Sequence, residues 1–348
     1  MALSKASTNT KASMPSITQR GTVTCIAALA LVYGAASAAP AAREEAIDFG
    51  KTQGARFTLQ RDGAPAIRYV ISRPAQRAPL VLYIQGSGCI PPFTGLGTPN
   101  RASTIFSWVP LAQQGRYAVM AVDKPYQPEG MQPGQQGTAQ ACPKAFNDHF
   151  SYDRWLATLV QAVRHAATLP YVDARRVLVI GISEGATMAA GLARALPEVT
   201  DVALVGGSGP TQLFDFAVNI YRADAADADK LRCLQELDAT VSDIKADPAS
   251  TAKFAWGHTY LRWSSFFAQS SSDNLLHAKA RIYLASGMQD DSVPILSTEA
   301  MYAQLRAQGR DVTFRRVPGA NHSLQAQGQP FPDVQKEYDG IMHWFEKR

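Results

Sequence analysis

The sequence predicts an α/β protein: a mostly parallel central sheet flanked by helices on both faces and interrupted by a helical cap insertion. Three observations carry this. Short apolar runs bounded by Pro, Gly or Asp recur along the chain, as strands buried on both faces require. Helix-forming stretches alternate with these runs, and that alternation builds parallel crossovers. One interval, Gly209 to Lys279, holds about seventy residues without a convincing core strand, too long for a plain connection.

The first thirty-eight residues read as a signal peptide. Lys5, Lys11 and Arg20 form a basic region, Gly21 to Tyr33 is apolar, and Ala36-Ser37-Ala38 gives a small-x-small cleavage pattern. The basic region is long, so both Met1 and Met14 stand as start candidates. The apolar run is shorter than the roughly 20 residues that span a bilayer, so no stable membrane anchor is expected after cleavage. Residues 39–348 then form the folded domain, with the cap at about 209–279.

The elements follow in order. Arg56 to Gln60 and Ala66 to Ser72, joined across Asp62-Gly63, predict an opening hairpin. Leu80 to Ile84 is a continuous apolar run between Pro79 and Gly86, and predicts a buried strand. Tyr117 to Val122, Arg176 to Ile180, Val199 to Val205, Arg281 to Ala285 and Val312 to Val317 repeat the pattern. Helices are expected over Asp153 to Thr168, Glu184 to Leu196, Thr298 to Gln308 and Val334 to Lys347. Within the cap, Leu213, Phe216, Ala217 and Ile220 share one helical face, and Leu231, Leu234, Val241 and Ile244 another.

Composition narrows the function. Hydrophobic residues make up 46% and charged residues 18%, which supports a packed core and excludes disorder as the main theme. The formal charge is +5, but three of those cations lie in the signal segment, so nucleic acid is not an expected partner. Cys25 leaves with the signal, and Cys89, Cys142 and Cys233 lack zinc-ligand spacing. Neither a metal nor an organic cofactor is implied.

The chemistry centres on Gly181-Ile182-Ser183-Glu184-Gly185, between the strand pattern Val177 to Ile180 and the helix former Ala186 to Ala195. A sharp strand-to-helix turn places its serine in a strained conformation, and glycines at both ends leave room for it. A serine hydroxyl needs a base. His322 follows the last strand at the carboxyl edge of the sheet, the edge that also carries Ser183, whereas the other five histidines lie in helices or outside those loops. The base in turn needs an acid, and Asp290-Asp291 follows the strand ending at Ala285 on the same edge. Gln85-Gly86-Ser87-Gly88 can aim amides at a developing negative charge, with the Ser87 and Glu184 N–H groups as the expected oxyanion donors.

These residues resemble the α/β-hydrolase family, with signatures spread from about Leu80 to His322. The Ser-Glu-Gly elbow and the stretch Gly287 to Pro294 are similar to those of the dienelactone-hydrolase and prolyl-oligopeptidase-like branches. The resemblance implies Ser183 as nucleophile, His322 as base and Asp290 as acid, since Asp290 has the family's spacing to Val293-Pro294. This chain has Gln85-Gly86 where the family commonly has His-Gly.

The function expected is cleavage of a carboxylic ester through an acyl-enzyme. A peptidase or amidase acting on short peptides uses the same groups, and a catalytically silent binding protein is the rival of another class. Trp256, Tyr260, Trp263 and Phe267 fall on one helical face and are candidates either for a substrate pocket or for the cap's own packing. Cys89 and Cys142 belong to segments on the same sheet edge, so a disulfide between them is expected, leaving Cys233 free.

Overall fold

The computed structural model describes residues 42–49, 52–96, 98, 102–129, 141–328, 330 and 332–347. The expected signal peptide at 1–38 lies outside these residues, as do both start candidates and residues 130–140. Among the described residues nine strands form one sheet: β1 (Ala42–Asp48), β2 (Gln53–Arg61), β3 (Ala64–Ser72), β4 (Ala78–Ile84), β5 (Ala118–Val122), β6 (Val172–Ile182), β7 (Asp201–Val205), β8 (Arg281–Gly287) and β9 (Val312–Val317). Their order is β1-β2-β3-β5-β4-β6-β7-β8-β9. The junctions from β1 to β5 are antiparallel and the rest are parallel.

The central apolar runs are continuous because each strand feeds two cores. In β4, Leu80, Leu82 and Ile84 join one cluster, and Val81 and Tyr83 join the other. β5 and β6 divide in the same way, Val177 and Val179 facing one side and Leu178 and Ile180 the opposite one. The first core also takes in α2 (Lys144–His149), α3 (Tyr152–Ala166), α4 (Glu184–Ala195) and α9 (Ile295–Ala307), and the second α1 (Trp108–Gln113) and α10 (Pro332–Glu346). Helix α3 shows why such segments are helical: the Ser151 hydroxyl caps its start by accepting from the Arg154 amide, and Trp155, Leu159, Ala162 and Ala166 recur on one buried stripe.

Between β7 and β8 the insertion forms α5 (Gln212–Arg222), α6 (Asp227–Ala246), α7 (Tyr260–Phe267) and α8 (Ser271–His277). Thr211, Thr259 and Ser270 cap α5, α7 and α8 through their hydroxyls. Ile244, Tyr260 and Trp263, with Phe216 and Phe267 against them, give the cap its own small core. Leu231, placed on the apolar face of α6 by periodicity, is instead exposed; Leu237, Val241 and Ile244 are the residues that α6 buries. No helix of the described residues is long and apolar enough to cross a membrane.

Cys89 and Cys142 form a disulfide with Cα atoms 5.8 Å apart, and Cys233 is free. The bridge spans 53 residues, for which the loop-entropy relation gives about 4 kcal/mol as an upper value. Reduction, or Cys89→Ser with Cys142→Ser, is expected to lower stability by about 2–4 kcal/mol in denaturant titrations. A midpoint that does not respond to reductant would contradict the bridge.

Candidate active site

Parallel strands bring their carboxyl-terminal loops to one edge, and every expected site segment leaves the sheet there. Ser183 joins β6 to α4 with φ +56° and ψ −122°, a left-handed backbone that a side-chain-bearing residue rarely adopts. Its amide donates to Val205 O at 2.9 Å and its carbonyl accepts from the Ala186 amide at 2.9 Å, so neighbouring backbone holds the strained turn. The helix start presses directly on the sheet. A Cβ at Gly185 would lie 2.2 Å from Ile84 O, and one at Gly181 2.2 Å from Gly185 O.

His322 and Asp290 meet on the same edge. The His322 Nδ1–Asp290 Oδ2 distance is 2.8 Å, and Asp290 is fully buried. Its other oxygen, Oδ1, accepts from the amides of Ser292 and Val293, both at 2.9 Å. In this geometry Nδ1 faces a carboxylate oxygen, which can accept its N–H, and a neutral imidazole holding its proton there presents Nε2 as the acceptor. The cap grips this loop: Arg222 donates to Asp290 O at 2.9 Å, and Asn219 donates to the carbonyls of Asp291 and Ser292 at 3.3 Å. Asp291, by contrast, is exposed.

The Gly86-Ser87 loop closes the other side. A Cβ built on Gly86 would come within 3.3 Å of Ser183 Cβ and 3.8 Å of its Oγ, so the loop backbone lies against the serine. Gly86, Ser87, Ser183 and His322 open on one cavity of about 390 Å³, whose apolar walls are Ile105, Phe106, Ile182, Val205, Val334 and Tyr338. Glu184 is the first residue of α4, where helix amides have no intrahelical acceptor and the dipole favours negative charge. Among the described residues no group of three or more His, Cys, Asp or Glu could hold a metal ion.

The aromatic candidates sit elsewhere. Tyr260 and Trp263 are buried in the cap's own core, where Trp263 Nε1 donates to Ala255 O at 2.5 Å. Trp256 packs against Phe216, the rings tilted with centroids 4.8 Å apart, and lines a separate cavity along with Cys233. None of the three lines the cavity at Ser183.

Sequence reading took only the backbone amide of Glu184 and missed its carboxylate. That side chain lies between Lys124, at 2.8 Å, and Arg262, whose Nε donates at 2.9 Å, and all three residues are buried. Burial works to raise the Glu184 carboxyl, but the two cations overcome it and hold it at about 2. His258 beside them is pushed down to about 4, by burial and by Arg262. Asp215 was also missed. It accepts from the Ser208 hydroxyl, and burial pushes its carboxyl up to about 6.

A sequence model described as "Alpha/beta hydrolase family" matches residues 90–334. The fold is similar to that of the acetyl xylan esterase from Paenibacillus sp. R4, with a TM-score of 0.56 at 17% identity, covering 88% of this chain and 88% of that one. Acetyl xylan esterase 1 from Thermoanaerobacterium sp. JW/SL YS485 gives 0.55 at 14% identity over 88% and 89% of the two chains. The acylaminoacyl peptidase of Pyrococcus horikoshii gives 0.56 at 15% identity over 89% of this chain, which spans only 42% of that longer one. No curated protein matches the sequence.

Proposed function

The chain belongs to the alpha/beta hydrolase family, and from that footing we propose that it is an exported serine hydrolase acting on small carboxylic esters. Ser183 Oγ attacks the ester carbonyl while His322 Nε2 takes its proton, and the carbonyl electron pair moves onto oxygen, facing the Ser87 and Glu184 amides. His322 returns the proton to the departing alkoxide, leaving Ser183 acylated. Water, deprotonated by the same nitrogen, then attacks the acyl carbon, and Ser183 Oγ departs, taking the proton back from His322 as the acid is released. Asp290 orients the imidazole and stabilises its charged form. The observation that supports this most is the 2.8 Å His322–Asp290 pair beside a serine held at positive φ, with Ser183 and His322 sharing one cavity.

Cavity size bears on substrate. About 390 Å³ is near the lower end of small-ligand sites, and six apolar walls suit a short acyl group. Each methylene buried adds about 0.8 kcal/mol, so kcat/KM is expected to rise by roughly fifteenfold from acetyl to butyryl esters. It should then fall by at least about tenfold at decanoyl, once the walls are met. A panel of p-nitrophenyl esters run beside aminoacyl p-nitroanilides tests this. A preference for long acyl chains would remove the small-ester reading, and faster anilide cleavage would replace it with a peptidase. Export is supported by the signal-like residues 1–38 and by the Cys89–Cys142 bridge, since disulfides persist in oxidising compartments.

A further inference from the structure

Lys124 lies two residues beyond the end of β5, fully buried, and its ammonium has three N–H donors. All three are used: Nζ lies 2.7 Å from Gly86 O, 2.9 Å from Gly88 O and 2.8 Å from Glu184 Oε1. The same ammonium lies over the rings of Trp155 and Phe150, at 4.3 and 4.9 Å. Stability alone gives little reason for such a group. Burying charge is costly, and a well-packed apolar residue in its place is often neutral or better.

Its acceptors give it another role. Gly86 O and the Ser87 N–H belong to one peptide unit, and in a trans peptide they point in opposite directions. A cation on that carbonyl fixes the plane of the peptide, so that the amide faces away from Lys124. It also draws electron density toward the oxygen and makes the N–H a stronger donor. The third acceptor belongs to Glu184, which follows Ser183 directly as the first residue of α4 and carries the other expected oxyanion amide. One buried ammonium therefore ties together the two segments that carry the expected oxyanion donors. Resting on the ester-hydrolase reading above, we propose that Lys124 is a positioning residue that aims and polarises the oxyanion hole, in the place where the family commonly relies on a His-Gly loop.

Arg262 makes the proposal testable. Its guanidinium pairs with Glu184 Oε2 from the cap, so removing Lys124 leaves Glu184 in a balanced ion pair. Lys124→Met is expected to lower kcat for a p-nitrophenyl ester by about ten- to hundredfold, less than outright loss of a donor, with KM within about threefold. A trifluoromethyl ketone, which captures the serine as a hemiketal oxyanion, should bind more weakly by the same factor as kcat/KM falls. A purely structural strut would lower the unfolding midpoint and move neither value in the folded protein. Should Lys124→Met fail to fold, Lys124→Gln, whose amide keeps a donor at this depth, carries the same test. Folded variants with wild-type kcat and ketone affinity would overturn the proposal, and so would failure of both to fold. Wild-type protein that turns over no ester would remove instead the reading on which it rests.

Discussion

Ser183→Ala is expected to abolish ester turnover, lowering kcat by about six orders of magnitude while the protein stays folded. Losses of this size arise because nucleophile and base act as a unit, and the remaining group does nothing alone. His322→Ala should therefore cost about as much, and the double variant scarcely more than either. Folding should survive. Ser183 lines the cavity, and removing its hydroxyl leaves the hydrogen bond from its amide to Val205 O in place. Removing a hydroxyl from a left-handed residue does not restore glycine's freedom, so the strain at φ +56° persists. Steady-state kinetics with p-nitrophenyl butyrate, beside thermal unfolding, check both halves. A folded Ser183→Ala protein with even a hundredth of wild-type activity would contradict the assignment.

The second large effect separates two adjacent carboxylates. Asp290→Asn should lower turnover by about 10⁴-fold. The amide that replaces Oδ1 or Oδ2 must either face the Ser292 and Val293 amides or donate toward His322 Nδ1. The second arrangement favours the tautomer with its proton on Nε2, which cannot accept from serine. Asp291→Asn should change kcat by less than about threefold, because that side chain is exposed and only its carbonyl is used, by Asn219. Reversed losses would place the acid at Asp291.

The central sheet was legible because burial on both faces forces unbroken apolar runs, as in Leu80 to Ile84 and Val177 to Ile180. Strand β1 was not. Its sequence, Ala-Arg-Glu-Glu-Ala-Ile-Asp, buries one residue, Ile47, at the sheet margin, so it carries no apolar alternation to read. The elbow was legible for a local reason, since close approach of α4 to the sheet requires Gly181 and Gly185 at fixed spacing. Asp290 and His322 could be placed because each follows a recognisable strand to the same edge. Lys124, Glu184 and Arg262 are brought together only by the fold, 60 and 78 residues apart, and no local pattern marks them. The aromatic stripe of Tyr260 and Trp263 showed correctly that one face of α7 is buried. Periodicity cannot say against what, and the partner is Phe216 and Ile244 rather than the cavity at Ser183.

Reaction of the folded wild-type protein with a fluorophosphonate, followed by mass spectrometry of the intact chain and its digest, bears most directly on the central assignment. Attack by Ser183 Oγ on phosphorus expels fluoride and leaves one stable phosphonyl group. The expected result is a single adduct on the peptide containing Ser183, formed as esterase activity disappears and absent from His322→Ala over the same period. Unlabelled Ser183 in fully active protein, or inactivation with the adduct on another residue, would contradict it.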